Sequence, residues 1–259
     1  MKEKLSIIKI GGNVINDPGS LQAFLEDFAA LEGPKILVHG GGRKATEVSD
    51  ALGLQTTMIG GRRVTDREQL EVVAMVYAGL LNKGIVAGLQ QLHCNALGLS
   101  GADANTVLAH KRMVTDVDYG FAGDVDTVNT QAIELFLGGG LTPVFCAITH
   151  DAKGQLLNTN ADTIAGELAA GMSERYEVEL VYCFEKQGVL LDLDDPNSVV
   201  EHMDRSAYVR LKEEGVIAAG MLPKLKNCFE ALERGAARVI LGGPGMILDR
   251  EQKHTIITL

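Results

Sequence analysis

The sequence predicts an α/β fold, a three-layer αβα sandwich on a mostly parallel central sheet. Two observations point there. Short apolar runs end in glycine-rich turns and lead into segments of helical spacing, and this order recurs along the chain. Helices alternating with short buried strands mark a parallel sheet covered on both faces. The chain also has 259 residues, 46% of them apolar, enough for one large domain or two lobes. Trp is absent and aromatics are 5%, so the core is mostly aliphatic.

The first element is the apolar run at 5–13, LSIIKIGGN, which reads as a buried strand closed by glycines. Lys9 stands out in it, because a buried cation is costly unless an anion meets it. Open α/β sheets bind ligands beyond the carboxyl ends of their strands. Gly11 and Gly12 lack a Cβ, so a phosphate can approach their N–H groups. Lys9 is therefore expected to face a phosphate, against the plainer reading of a surface lysine on an edge strand.

A helix follows over 19–31 (Leu21, Phe24, Leu25, Phe28), then a strand at 35–38 running into His39-Gly40-Gly41-Gly42 and a second helix. The first N–H groups of such a helix favour an anion; the plainer reading of the glycines is a tight turn. Residues 53–65 read as a hairpin or loop around Gly60-Gly61, with Arg62 and Arg63 just after it. An arginine beside a pocket can grip a carboxylate through two parallel hydrogen bonds, although adjacent arginines are more often solvated. Asp66 is expected to cap the next helix. The apolar segment 80–92 continues helical, and its Gly84 and Gly88 would permit a close dimer contact.

A strand is expected at 95–100 and β-hairpins over 112–128. Asp116, Asp118, Asp124 and Asp126 lack the spacing of a calcium loop and read as a solvated hairpin face, so no metal site is expected. A helix over 130–138, a strand over 142–148 and a turn lead to Asn158, Asn160 and Asp162 before a helix running to about 170. Two Asn and one Asp within five residues exceed what a cap requires. From residue 178 the character changes: a strand to 184, the turn Glu185-Lys186-Gln187-Gly188, a charged loop over 192–202, helices at 204–214 and 221–235, and strands at 238–241 and 255–258. Pro223 suits a first helical turn, which puts Lys224 at a positive helix end where an anion would have to offset it. The expected division is an N-terminal lobe, 1–177, and a C-terminal lobe, 178–259.

The net charge of −10 argues against nucleic acid or a membrane surface as partner. The four cysteines form no CxxC pair and read as reduced core thiols. No signal peptide is visible and no apolar run approaches the roughly 20 residues of a membrane span, so a cytoplasmic protein is expected. The glycine turns match neither GxxxxGK[ST] nor GxGxxG. Two lysines, two glycine turns, an arginine pair and an Asn–Asp cluster fit phosphoryl transfer to a small anion, a reaction that needs positioning and charge neutralisation.

Together, KIGGN at 9–13, HGGGR at 39–43, GRRVTD at 61–66, GLSGADA at 98–104, YGFAGDV at 119–125, NTNADT at 158–163 and GMLPKL at 220–225 resemble the N-acetyl-L-glutamate kinases of arginine biosynthesis, a branch of the amino-acid kinase fold. The resemblance runs from residue 5 to about 243. It implies ATP-dependent phosphorylation of the γ-carboxylate of an N-acyl-L-glutamate by a homodimer, with Mg²⁺ carried on the nucleotide. It implies that Lys9 and Lys224 neutralise the transferring group and that Asp162 holds them. Gly11, Gly12, Gly41 and Gly42 would donate N–H groups, and Arg63 and Asn158 would bind the amino acid's α-carboxylate end. The acceptor would sit in the N-terminal lobe and the nucleotide in the C-terminal lobe, at the turn carrying Glu185 and Gly188.

That turn departs from the family's Thr/Ser-Asp-Val-Pro-Gly, and Arg62 stands where the family usually has Leu. A second guanidinium suits an acyl group with its own carboxylate, such as succinyl; the alternative is an Arg62 directed to solvent. Two rival functions remain at this stage. One is a kinase of the same fold acting on UMP, carbamate or aspartate. The other is a catalytically silent regulatory paralogue, whose signature would be loss of Lys9, Asp162 or Lys224. The first strand begins near residue 5, leaving no room for the N-terminal helix that accompanies arginine inhibition in the family, so arginine insensitivity is expected.

Overall fold

The computed structural model describes residues 2–192, 194–217 and 221–259. The chain forms two compact units, Met1–Ile36 with Ala165–Leu259, and Leu37–Ile164. Both are α/β with parallel strands at their centre, the class expected from the sequence.

In the first unit, strand Glu3–Ile10 lies parallel to Tyr176–Cys183, in register from Leu5↔Val178 to Ile10↔Cys183. Arg238–Gly242 adds a parallel neighbour to Tyr176–Cys183. His254–Ile257 then runs antiparallel, with His202–Met203 beyond it. Leu5, Ile7, Ile8, Leu180, Val181 and Ile240 are all buried, because a parallel sheet is covered on both faces and its strands read as continuous apolar runs. Helix Pro18–Ala30 starts at Asp17, whose carboxylate accepts from the Ser20 N–H at 2.8 Å. It buries Phe24, Leu25 and Phe28. Asp204 caps helix Arg205–Glu213 in the same way. Helix Leu222–Glu233 carries Pro223 in its first turn; Gly220 of the GMLPKL motif lies outside the described residues.

In the second unit, strand Thr142–Cys146 lies between the end of Lys35–His39 and Ala96–Leu99, parallel to both. A four-stranded sheet is built from Leu156–Asn158, Ile148–His150, Val107–Lys111 and Gly123–Val128. The expected hairpin at 53–65 is Met58–Ile59 with Arg62–Arg63. It turns on Gly60 and Gly61 at φ 57° and 76°, the left-handed geometry that a two-residue hairpin turn demands. Residues 112–122 do not alternate as a strand. Instead Gly120, at φ 65°, lies against Thr65; a Cβ there would sit 2.7 Å from the Thr65 carbonyl carbon.

Asp66 caps the next helix by accepting from the Gln69 N–H at 2.8 Å. The helix continues as Arg67–Ala74, a π-helical segment Met75–Leu81, and Asn82–Gln91. No π turn was foreseen. This helix has 25 residues and an 18-residue window of mean hydropathy 1.7, long and apolar enough to cross a bilayer, which the sequence reading did not foresee. Leu70, Val73, Tyr77, Ile85 and Leu89 are nevertheless buried in the unit, and the buried polar side chain of Asn82 is hydrogen-bonded within it. It reads as a core helix. Asn129 caps Thr130–Gly138. Asn160 caps Ala161–Met172, accepting from the Asp162 N–H at 2.7 Å and the Thr163 N–H at 3.3 Å. All four cysteines are free and buried.

Candidate active site

In the second unit the predicted residues Gly42, Arg63 and Asn158 form one hydrogen-bonded chain. Strand alternation turns Arg63 inward, 6% exposed, and Arg62 outward. Arg63 Nη1 donates to Thr56 Oγ1 at 3.0 Å and Gln69 Oε1 at 2.8 Å. Nη2 donates to the Gly42 carbonyl at 2.9 Å and Thr46 Oγ1 at 2.6 Å. The planar fork thus ties the glycine turn to helices Gly42–Ala51 and Arg67–Ala74. Its Nε is buried with no hydrogen-bond partner among the described residues. Thr65 Oγ1 donates to the Arg63 carbonyl at 3.1 Å and accepts from Asn158 Nδ2 at 2.9 Å.

Gly41 and Gly42 open helix Gly42–Ala51, whose first N–H groups have no intrahelical acceptor. A Cβ on Gly41 would collide with Leu81 Cδ1 and lie 2.9 Å from the Tyr77 ring. Burial raises the Tyr77 phenol pKa, and the Arg63 guanidinium nearby opposes that. Behind the turn, His39 is fully buried, with Nδ1 2.8 Å from the Gly40 carbonyl and Nε2 3.1 Å from Asn82 Nδ2. Burial pushes its pKa down to about 4.

Arg62 belongs to a different cluster. Arg112 grips Asp124 through Nε, at 3.0 Å to Oδ2, and through Nη2, and lies over the Tyr119 ring. Burial, and then the Arg112 guanidinium, lower the Arg62 pKa; the hydrogen bond from Arg112 holds Asp124 below the usual carboxylate range. Of the four aspartates in this region, Asp126 pairs with His110 and Asp118 accepts from the Gly120 N–H. Among the described residues no three His, Cys, Asp or Glu are grouped to hold a metal ion.

In the first unit, Lys9 and Lys224 both neighbour Tyr182. Lys9 pairs with Tyr182 across the parallel ladder, so the two side chains share a face. Lys224 Nζ lies 5.2 Å from the centroid of the Tyr182 ring and 5.7 Å from that of Phe184. Two π faces thus lie against the cation at the positive end of its helix. A Cβ on Gly166 would lie 3.8 Å from the Tyr182 hydroxyl; Asp162, in the first turn of helix Ala161–Met172, belongs to the second unit. Tyr182 itself was missed; the strand Tyr176–Cys183 carries two tyrosines, and nothing local marks which of them faces a lysine.

The glycines after Lys9 divide their roles. The Gly11 N–H donates to the Cys183 carbonyl at 3.1 Å, because the ladder runs one residue past the strand. It is therefore engaged by the protein, and Gly12, first residue of helix Gly12–Asn16, carries the open N–H. Asn16 Nδ2 is buried with no hydrogen-bond partner among the described residues and lies 3.6 Å from where a Gly12 Cβ would be. In the 185–188 turn, Glu185 is exposed. Gly188 is packed inward, where a Cβ would sit 2.6 Å from Thr255 Oγ1.

A family model, described as the amino acid kinase family, matches residues 4–243. The chain belongs to the amino acid kinase family. Among this kinase family's members, it is 52% identical over 239 residues to a protein named acetylglutamate kinase from Parabacteroides distasonis, covering 92% of this chain and 94% of that one. To a protein of the same name from Bacteroides thetaiotaomicron it is 49% identical over 251 residues, covering 97% and 98%. The fold matches that of carbamate kinase from Giardia lamblia bound to AMP-PNP at TM-score 0.69, with 14% identity and coverage of 99% and 98%. This amino acid kinase keeps Lys9, Asp162 and Lys224, the residues whose loss would mark a silent paralogue.

Proposed function

We propose that this chain is an ATP-dependent N-acyl-L-glutamate kinase of arginine biosynthesis, with N-acetyl-L-glutamate as acceptor. Half-identity to acetylglutamate kinases over nearly the whole chain supports the acceptor. The observation that carries the chemistry is that two lysines neighbour Tyr182 at the carboxyl end of parallel strands, Lys9 as its partner in the ladder and Lys224 over its ring. A γ-carboxylate oxygen attacks the γ-phosphorus of ATP, the bond to the β–γ bridging oxygen breaks, and an acyl phosphate and ADP result. The nucleophile is ionised at neutral pH, so no general base is required. The demand is for cations where negative charge spreads. Lys9 and Lys224 meet it, with Asp162 orienting them. Gly12, Gly41 and Gly42 donate N–H groups to phosphate and carboxylate oxygens, and Arg63 and Asn158 hold the α-carboxylate end. Mg²⁺ enters on the nucleotide.

The division of labour is acceptor binding and dimerisation in 1–177 and nucleotide binding in 178–259, where Glu185 faces solvent and Gly188 anchors its turn. The homodimer uses the outer face of helix Arg67–Gln91, where Met75 and Leu80 are exposed and a Cβ at Gly84 would meet nothing within 4 Å. The protein works in the cytoplasm. The test is ADP release with and without N-acetyl-L-glutamate, with the product identified by mass after trapping as a hydroxamate. ADP release that ignores the acceptor would favour a silent binding protein.

A second reading of the acyl group rests on Arg62 and Arg112, two guanidiniums sharing the single carboxylate of Asp124. One positive charge is left over for an acyl carboxylate, as in N-succinyl-L-glutamate. A half-exposed ion pair contributes about 1 kcal/mol, or roughly fivefold in kcat/KM. Measuring both acceptors in wild type and Arg62→Leu decides it: an acetyl preference that the substitution leaves unchanged ends the idea.

A further inference from the structure

We propose that His39 is a positioning residue for the acceptor: it fixes the peptide between Gly40 and Gly41 so that the Gly41 N–H stays aimed at the acceptor carboxylate. This rests on the acyl-glutamate reading of the glycine turn. Three consecutive glycines supply N–H groups at close approach but no stiffness, since each populates far more backbone states than other residues. Something outside the turn has to choose one state, and the geometry points to the imidazole.

The hydrogen-bond network sets the tautomer. The Gly40 carbonyl can only accept, so Nδ1, 2.8 Å away, carries the proton,. Asn82 Nδ2 donates to the Val144 carbonyl at 2.9 Å, which identifies it as the amide nitrogen. Its second N–H faces Nε2 at 3.1 Å, and Nε2 therefore accepts. The ring is held neutral as the Nδ1–H tautomer, with one nitrogen on the turn and the other on the helix. In a planar trans peptide the C=O and the following N–H point in opposite directions. Holding the Gly40 oxygen toward the imidazole therefore holds the Gly41 N–H away from it.

The π-helical segment Met75–Leu81 explains how one helix reaches the turn twice. Tyr77 stands against Gly41, and Asn82, five residues on, meets His39. In an α-helix, positions five apart differ by about 140° around the axis. The wider i→i+5 turn of a π-helix brings them toward one face, so both act on the same glycine turn, one by filling the Cβ space of Gly41 and one by orienting His39.

The experiment separates the two ring nitrogens. Asn at position 39 places its amide N–H where Nδ1 stands, and Gln places its amide where Nε2 stands. His39→Leu and His39→Gln should lose on the order of 100-fold in kcat, the scale of one misplaced oxyanion donor, with the ATP KM unchanged. His39→Asn should recover most of that loss. Equal loss in the Asn and Leu variants, or wild-type kcat in the Gln variant, would overturn the proposal. A long-range ¹H–¹⁵N spectrum of the wild-type protein gives a readout that needs neither turnover nor a folded variant: an Nδ1–H imidazole at pH 7.5 is expected, and an Nε2–H ring or an imidazolium would also overturn it. A wild-type protein without acceptor-dependent ADP release removes the kinase reading and this proposal with it; the other adverse results remove this proposal alone.

Discussion

Replacing Arg63 by Lys keeps the charge and removes the fork. Four acceptors surround the guanidinium in two pairs, Thr56 with Gln69, and Gly42 with Thr46. One ammonium can serve one pair, leaving the other. The abandoned acceptor keeps a neutral donor, Thr46 Oγ1 on the Gly42 carbonyl or Ser49 Oγ on Gln69 Oε1, but loses its charged one. A hydrogen bond to a charged group contributes about 1.5–3 kcal/mol, and the loss of planar, bidentate geometry adds to it. The expected destabilisation is about 3 kcal/mol, a large part of the roughly 5–15 kcal/mol that holds a typical domain. The assay is urea unfolding of wild type and Arg63→Lys, read as a shift in midpoint at constant slope, together with the acceptor KM. Because Gly42 opens the helix at which the acceptor is proposed to bind, KM should rise by about tenfold or more. A stability change within about 0.5 kcal/mol, the range of ordinary surface substitutions, would refute the view that the protein's own acceptors hold Arg63.

Lys9→Ala should lower kcat far more than it raises the acceptor KM, because its interaction is strongest as charge spreads in the transition state; a pure KM effect would make Lys9 a simple binding cation. Gly41→Ala should cut kcat/KM for the acceptor by at least 100-fold while the ATP KM holds, since the new methyl would occupy the space of Leu81 Cδ1 and the Tyr77 ring,; near-wild-type kinetics would show that the turn relaxes freely. His39 titrates near pH 4 folded and near 6.5 unfolded. Its contribution is complete above pH 6.5 and is lost as pH falls toward 4, amounting to about 2 kcal/mol between pH 7.5 and 5. Urea midpoints of wild type and His39→Leu should therefore converge on acidification, and parallel pH profiles would contradict this.

What the sequence disclosed follows from which interactions are local. Strands and helices were legible because the apolar period and the caps Asp66, Asn129 and Asn160 lie within a few residues of what they act on. The glycine turns and the two lysines were legible because each is anomalous in its own segment. The supports were not. Tyr182 meets Lys9 across 173 positions and Lys224 across 42 positions, read from their residue numbers; it looks like any aromatic in a buried strand. His39 stood inside a quoted motif, yet its role depends on Asn82, in a helix that reads as uniformly α. The loss of the Gly11 N–H to Cys183 was invisible too, because pairing one residue beyond a strand is decided by the neighbouring strand.

The two units solve one physical problem in parallel ways. Phosphoryl transfer asks for donors and cations at fixed points, yet glycine N–H groups and lysine side chains are among the least constrained groups a chain can offer. Each is immobilised by a buried neighbour with few rotamers. Tyr77, Asn82, His39 and the Arg63 fork surround the turn at 40–42, and the Tyr182 and Phe184 rings lie under Lys224. A π-helical stretch of seven residues forgoes regular α geometry in the middle of a core helix. That cost is consistent with Tyr77 and Asn82 both having to face the turn. Deleting one residue from the segment to restore an α-helix would rotate Asn82 away from His39 while keeping the apolar stripe ahead of it intact, so ordering of the turn should fail before ordering of the helix does.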